Sequence, residues 1–320
     1  MSVLLSHPII YPEIATSPSS VKSLFLAYLE KLKPILKTEK VETSTQVFVD
    51  VVAELRQKIP DTADELDKIR QLLDFFFIDA LFSQPSKNEP SLKAKHFDLC
   101  DVLAFRTGQQ SALSILFCDF ARAINLQSEI IVTPGPYLVR IELADASYVF
   151  LEPANGISLD WQDVEATFAN NPLISVLEQE FGLDAIHEDA LELEQEQIDV
   201  EFNDPTQTAT EVGSPDETII NKALVGDKEI VLKAISLFKA MLIAEGRFAH
   251  ALSICEVLLE QEPDNPYLRR DRGYLLEQLD CRNQAIADYE YFVEQCPEDP
   301  IAKMLKAQIE EHLPSVHSVH

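Results

Sequence analysis

Hydrophobic residues in the first third of the chain recur at intervals of three and four, which is the spacing of amphipathic helices. The pattern predicts helices over 21–37, 44–58 and 62–82. Ser19 or Ser20 caps the first of them, and Pro34 interrupts it late. A short helix over 97–105 then leads to Gly108. We expect the three longer helices to form a layer that covers the core of one domain.

The stretch 106–126, RTGQQSALSILFCDFARAINL, predicts the central helix of that domain. Its apolar residues recur at three and four, so one full face is buried. Ser111, Ser114 and Cys118 form a neighbouring face of small side chains, which lets another element approach closely. Asn125 tolerates the left-handed conformation in which helices commonly end. The sequence therefore predicts a buried helix that ends near Asn125.

Three short strands are predicted after this helix, over 128–133, 137–143 and 147–153. Ala144-Asp145-Ala146 forms a tight hairpin between the last two, and Asn155-Gly156 predicts a further turn. A short helix over 160–168 carries the only tryptophan. The predicted fold class of this part is α+β, a helical layer with a small antiparallel sheet.

The last hundred or so residues have a purely helical pattern that contains a repeat. Pro263 and Pro297 are 34 residues apart, as are Ala251 and Ala285, and this period is typical of tetratricopeptide (TPR) helical hairpins. The copy over 267–300 matches the repeat consensus better than the copy over about 232–266, which has Lys239 at the consensus glycine position. A helix over 301–313 caps the stack. Because free-standing arrays usually need three or more repeats, we expect the repeats to dock on the first domain.

The segment between the two helical regions is far more acidic than either of them. Residues 184–217 contain twelve acidic residues and no Lys or Arg, which favours a mobile or only locally helical linker. The predicted organisation is an extended arm over 1–20, a first domain over 21–182, an acidic linker over 183–217, a repeat domain over 218–313 and a tail over 314–320.

The whole chain is acidic, with 26 Lys and Arg against 54 Asp and Glu and a formal net charge of −28. Such a charge repels phosphate backbones and anionic lipid, so we expect neither nucleic acid nor membrane as a partner. The apolar runs are too short to span a bilayer and the N-terminus lacks a basic region, which favours the cytoplasm. The five cysteines form no Cys-x-x-Cys pair and the histidines are scattered, so we expect buried thiols, no metal and no cofactor.

A buried helix followed by an antiparallel meander resembles the transglutaminase-like (papain-like) fold. In that family the helix begins Gly-x-Cys with the nucleophile, the second strand opens with a histidine base, and the third strand ends in Asp-Pro. Gly108 matches the family glycine, and the nucleophile then falls on Gln110. The base falls on Pro136, or on Tyr137 if the register slips by one, and the acid on Glu152. An amide cannot attack a carbonyl, and neither proline nor tyrosine is a general base at neutral pH, so the resemblance implies a degenerate triad.

A transglutaminase-like domain followed by TPR repeats resembles the SirB-type family of bacterial proteins, described as regulators or as conserved proteins of unknown function. The resemblance is closest over 97–158 and 266–300, and it implies an architecture and no reaction. We therefore expect a pseudoenzyme, that is, a non-catalytic protein-binding or regulatory protein. The alternative is a cysteine amidase or peptidase whose nucleophile has moved to Cys118. A thiol in mid-helix lacks the helix N-terminal field that lowers the pKa of a catalytic cysteine, which favours a buried structural role.

The repeat groove is the predicted binding site for a protein or peptide partner. Positions 2, 5, 9 and 12 of the first helix of each TPR copy line such grooves, and here they are Tyr267, Arg270, Tyr274 and Glu277, with Lys233, Ser236, Ala240 and Ile243 one repeat earlier. Arg270 and Lys233 would face one cleft, which suits a peptide carboxylate or acidic segment. Internal ion pairs, or occupation of the cleft by the acidic linker, are the alternatives.

Two arginines of the first domain are further candidates for ligand contact. Arg106 and Arg140 flank the degenerate site and either hold a ligand carboxylate or form a salt bridge to Glu152 or Asp101. Gln110 either receives hydrogen bonds in this vestigial pocket or caps the helix. His96 is expected to be a solvated loop residue.

Overall fold

The structure is a computed structural model, and it describes residues 23–86, 92–133, 137–145, 147–159, 163–164 and 226–312. The predicted arm, the acidic linker, most of the predicted helix over 160–168 and Pro136 lie outside these residues. The described part combines helices at both ends with a small sheet between them, so the predicted α+β fold class is confirmed.

Three helices precede the central one: α1 Leu24–Leu32, α2 Thr38–Lys58 and α3 Glu65–Asp74. The first is shorter than predicted and ends before Pro34, whose ring cannot continue a helix. The second begins six residues earlier than predicted, through a polar turn that has no apolar spacing to mark it. The third passes into a π-helix, Phe75–Asp79, so the predicted single α-helix to residue 82 is wrong in its last turn.

The central helix follows a 3-10 turn, Ala94–His96, and a short helix α4, Leu99–Phe105. We label it α5, and it runs Gln110–Ala123 with every residue from Ala112 to Ala121 buried. Asn125 has φ 64°, the left-handed conformation that its position predicted. The prediction of a buried central helix is confirmed.

Four antiparallel strands follow in spatial order: β1 Gln127–Ile131, β2 Leu138–Glu142, β3 Tyr148–Glu152 and β4 Ile157–Leu159. Three were predicted. The fourth was missed because its three residues are too few for alternation to show, although the Asn155-Gly156 turn before it was predicted. One face of the sheet contributes Ile130, Val139 and Leu151 to the core that contains α5.

The C-terminal region is a stack of helical hairpins: α6 Asp227–Ala244, α7 Phe248–Gln261, α8 Pro266–Gln278, α9 Arg282–Gln295 and α10 Pro300–His312. Gly273 on α8 shows why the repeat consensus has glycine, because a Cβ there would lie 2.6 Å from Tyr289 Cε1. Lys239 occupies the matching position on α6 and is buried against Asp271.

One apolar cluster runs from the first domain into α6, α7 and the start of α8. α1 packs against α6 and α7 and so covers the first helices of the stack. Lys31 of α1 donates to the side chain of Gln261 at the end of α7. Arg122 of α5 donates to both carboxylate oxygens of Asp227 at 3.0 and 2.9 Å, and Glu245 Oε1 accepts from Ala94 N at 2.8 Å. The start and the end of α6 are therefore both held against the first domain.

Candidate functional site

The side chains at two of the three triad positions are hydrogen-bonded to each other in the structure. Gln110 is the first residue of α5, and its Nε2 donates to Glu152 Oε1, at the end of β3, across 3.2 Å. Pro136 lies outside the described residues, whereas Tyr137 is described and its carbonyl accepts from Ser114 Oγ at 2.8 Å. The amide in the nucleophile position is thus bonded directly to the carboxylate in the acid position.

A second amide completes the surroundings of Glu152. Asn155 Nδ2 also donates to Glu152 Oε1, and Asn155 Oδ1 accepts from Gln84 Nε2 at 2.8 Å. Burial raises the pKa of Glu152, while the bond from Asn155 acts in the opposite direction. The sequence analysis missed Asn155 and Gln84 as members of this site, because Asn155 showed only a turn signal and no local pattern links Gln84 to it.

Tyr137, the alternative base position, is a poor base in this setting. Burial raises the pKa of its phenol to about 12, and the carboxylate of Glu229 on α6 adds to the shift. The phenol is therefore protonated at neutral pH, where its oxygen still accepts hydrogen bonds but is a very weak base. It cannot take a proton from a nucleophile.

Cys118, the alternative nucleophile, lies fully buried in the middle of α5. Its Sγ is 3.4 Å from Ser128 Oγ, and burial raises the pKa of the thiol to about 12 despite the nearby Arg122 guanidinium. All five cysteines are free thiols, but only three are buried as predicted, since Cys281 is exposed and Cys296 is partly exposed. Both of the latter flank α9, on the outer part of the stack.

The two arginines of the predicted vestigial pocket have different surroundings. Arg140 pairs with Glu129 across the β1–β2 ladder, and its guanidinium lies 4.7 Å from the Tyr148 ring centroid. The guanidinium of Arg106 lies 4.8 Å from the Phe82 ring, and burial lowers its pKa. Neither pairs with Glu152, whose bonds come from the two amides.

In the repeat region, the two predicted groove cations have carboxylate partners in their own chain. Arg270 is buried and donates to Asp271 Oδ1 at 3.2 Å, with its guanidinium over the rings of Tyr267 and Phe292 at 5.4 Å each. Lys233 pairs with Glu229, four residues earlier on α6, at 3.6 Å. An external carboxylate would have to compete with these internal pairs.

Of the other predicted groove residues on α8, Tyr274 is exposed, whereas Glu277 is hydrogen-bonded within the chain. Tyr274 is 40% exposed and meets Phe248 edge-on with ring centroids 6.2 Å apart. Glu277 is engaged, because it accepts from Tyr289 Oη at 2.9 Å and from Gln308 Nε2 at 2.7 Å. Tyr274 is therefore the aromatic side chain that this face presents to solvent.

Two buried polar residues were missed or misplaced by the sequence analysis. His96, expected on a solvated loop, is 1% exposed, because it belongs to the 3-10 turn that packs against α4 and α6. Asp119, in the middle of α5, accepts hydrogen bonds from Ser23 Oγ, Leu24 N and Phe25 N at 2.7, 2.8 and 2.7 Å. Its carboxylate thereby caps the first turn of α1.

Within the described ranges, no three His, Cys, Asp or Glu side chains are grouped so that they could hold a metal ion. No helix in the same ranges combines the length and apolar content needed to cross a membrane.

Comparison with known proteins defines the class. Residues 43–187 match the family described as Transglutaminase-like superfamily, and residues 238–310 match Tetratricopeptide repeat. The described fold agrees with both, since a buried helix and antiparallel sheet are followed by helical hairpins. The protein is a transglutaminase-like domain joined to TPR repeats.

Several curated proteins align with large parts of the chain. Protein SirB1 from Salmonella typhimurium is 29% identical over 208 residues, 65% of this chain and 63% of that protein. UPF0162 protein YchA from Escherichia coli is 30% identical over 211 residues, 66% of this chain and 64% of that protein. A UPF0162 protein from Buchnera aphidicola is 25% identical over 297 residues, 91% of this chain and 95% of that protein.

The two family matches and these relatives together support a SirB-type family. The chain spans just under two thirds of the full length of these two relatives, 63% of SirB1 and 64% of YchA. No solved structure matches the chain significantly.

Proposed function

We propose that this chain is a non-catalytic protein-binding or regulatory protein, in which a degenerate transglutaminase-like domain carries a TPR peptide-binding groove. The two domain types and the SirB and UPF0162 relatives fit a protein-binding or regulatory role. The observation that carries the non-catalytic part is the 3.2 Å hydrogen bond from Gln110 Nε2 to Glu152 Oε1. An amide is not a nucleophile, and here it also takes the carboxylate that would orient a base.

The state of Cys118 supports the same proposal. A relocated nucleophile has to reach substrate and to ionise near neutral pH. Cys118 is fully buried, and its pKa is raised to about 12. Cys118 lies two turns of α5 away from Gln110. Its Sγ is therefore not at the start of the helix, where the family has its nucleophile.

The groove is the proposed contact with the partner, through Tyr274 and the small side chains of Ser236 and Ala240. Tyr274 supplies a flat, exposed aromatic ring, and Ser236 and Ala240 are small residues at the groove positions of α6. Recognition of an acidic segment by Arg270 and Lys233 is part of the proposal, although both cations already have carboxylate neighbours. An acidic partner would therefore add to these pairs or displace them.

The proposal also includes the division into a first domain over 21–182 and a repeat domain over 218–313, joined by the acidic linker over 183–217. The composition of that segment supports the division. A cytoplasmic location is proposed on the sequence analysis alone.

Partner capture with groove variants tests the binding role. The immobilised full chain is compared with Tyr274→Ala, Lys233→Ala and the matched control Tyr148→Ala, a tyrosine of the sheet that is 43% exposed against 40% for Tyr274. We expect a stoichiometric partner that Tyr274→Ala loses and Tyr148→Ala retains. If both tyrosine variants capture the partner equally, the groove is not the contact. If Lys233→Ala leaves the salt dependence of capture unchanged, the acidic specificity is wrong.

A further inference from the structure

The first domain exposes four large apolar side chains beside the degenerate site. Phe105, Ile78 and Leu81 are 69%, 67% and 66% exposed, and Ile157 is 45% exposed. We call these four residues the rim surface. Among the other large apolar side chains that the structure describes, Met304 on the last helix of the repeats is 72% exposed and Leu66 on α3 is 45% exposed.

Backbone hydrogen bonds bring two of the segments that carry the rim surface together. Ser83 N donates to the carbonyl of Arg106 at 2.9 Å, and Gly108 N donates to the carbonyl of Ser83 at 3.1 Å. Leu81 and Phe105 are each within two residues of this pairing. The Gly108 that closes it is two residues before Gln110, so the pairing borders the degenerate site.

The β3–β4 turn holds the third segment in place. Gln84 Nε2 donates to Asn155 Oδ1 at 2.8 Å, and Gly156 packs so closely on Phe77 that a Cβ would lie 2.7 Å from its ring. Ile157 follows this glycine, and Ile78 follows Phe77. The three segments therefore lie side by side, with the amide–carboxylate contact of Glu152 next to them.

The backbone of these segments is unusual. Leu81 has φ 58° and Arg106 φ 60°, a left-handed conformation that is uncommon for bulky residues. The other non-glycine residues described with positive φ are Asn125 and Asp280, two types that tolerate it. A π-helix, Phe75–Asp79, ends two residues before Leu81. Both π-helices and strained residues concentrate at functional sites, and contiguous exposed apolar surface marks interaction sites.

We propose that the rim surface is a docking site for a basic protein segment that carries apolar side chains. This goes beyond the repeat groove, which lies on α6 and α8. The charge of the chain selects the occupant, since a net charge of −28 attracts a basic segment and opposes a second copy of the chain. Near Ile78, Asp74 is exposed and the carboxylates of Asp79 and Glu54 both pair with Lys58, so carboxylates outnumber the lysine at this end of the rim surface. At the other end Arg106 adjoins Phe105, with its guanidinium over the Phe82 ring.

Fluorescence anisotropy with two short labelled peptides tests the proposal on the full chain. The peptides share the same Leu and Phe residues and differ only in having Arg or Glu at the other positions. The variants are Leu81→Asn, which suits the left-handed backbone, and Phe105→Gln on the helix surface. Met304→Gln is the matched control, because it removes an equally exposed apolar side chain elsewhere.

We expect the Arg peptide to bind and each rim variant to weaken its binding by about tenfold, from the loss of one buried apolar side chain. Met304→Gln should leave the affinity unchanged. Equal binding of the Glu peptide, equal effects of the rim and control variants, or no binding of the Arg peptide would each overturn the proposal. A dimer of the full chain that Leu81→Asn dissociates would instead identify a second copy as the occupant. Circular dichroism of both rim variants tests whether they are folded. If Phe105→Gln is unfolded, the binding of Leu81→Asn alone decides the outcome.

Discussion

Replacing Asp119 by asparagine tests the contact that fixes α1 on the central helix. The Asp119 carboxylate is buried and accepts three hydrogen bonds from the first turn of α1, from Ser23 Oγ and from the backbone N–H groups of Leu24 and Phe25. Asparagine has the same shape, but its side-chain NH₂ group would face N–H donors where a carboxylate oxygen now accepts. At least one donor of the α1 terminus would then be buried without a partner.

The magnitude follows from these bonds. Hydrogen bonds to a charged group contribute about 1.5–3 kcal/mol each, and asparagine avoids the desolvation of the ion. We therefore expect Asp119→Asn to lower the free energy of unfolding by about 2–4 kcal/mol at neutral pH. Since α1 also packs against α6 and α7, the loss should appear in the repeat region as well.

The pH dependence of this difference has a definite sign. Burial raises the pKa of Asp119 from 3.8 to about 6, although its three hydrogen bonds and Arg122 act in the opposite direction. Because the folded-state pKa is above the unfolded one, the wild type gains stability relative to the variant as the pH falls from about 6 to about 4, and loses it as the pH rises through that range. The change amounts to about 3 kcal/mol.

Urea unfolding of both proteins across this pH range measures the difference, and hydrogen exchange of the α1 amides locates it. If the wild type instead loses stability relative to Asp119→Asn on acidification, the hydrogen bonds outweigh burial and the carboxylate has a lowered pKa. If the variant is as stable as the wild type at neutral pH, Asp119 does not hold α1.

Two further perturbations test the repeats and the central helix. Gly273→Ala places a Cβ 2.6 Å from Tyr289 Cε1 and should destabilise the repeats by about 1–3 kcal/mol in urea unfolding. Gly226→Ala meets no atom within 4 Å and should cost clearly less, because it loses only a favourable N-cap residue of α6. Equal effects of the two variants would contradict the packing of α8 on α9. In the native chain, a thiol reagent should modify exposed Cys281 first and leave buried Cys118 unmodified until unfolding, as read by mass spectrometry. Rapid native labelling of Cys118 would show that α5 is accessible.

The helical parts of the fold could be predicted because their signals are local. The apolar spacing of α5 and the 34-residue recurrence of Pro and Ala each lie in one stretch of sequence. The π-helix and β4 could not be predicted, since five residues and three residues carry too little periodicity. The early start of α2 at Thr38 lies in a polar turn, where hydrophobic spacing gives no signal.

The candidate site was predictable only in part. Gln110 and Glu152 were named by resemblance to the transglutaminase-like fold, and the structure joins them. Gln84 is 71 residues from Asn155, so their bond depends on tertiary packing that no local pattern records. The partner of Arg270 was visible as its sequence neighbour Asp271, but burial decided that the two would pair.

Direct measurement of turnover tests the central claim, that the transglutaminase-like domain has no catalytic activity. The purified full chain is incubated with amine donors, glutamine-containing acceptors and amide substrates, and product is quantified by mass spectrometry beside Cys118→Ser and Glu152→Gln. Our account predicts no product above the buffer control for any of the three proteins, because Gln110 is bonded to Glu152 and Cys118 is buried as a protonated thiol. Turnover by the wild type that either substitution abolishes would contradict it.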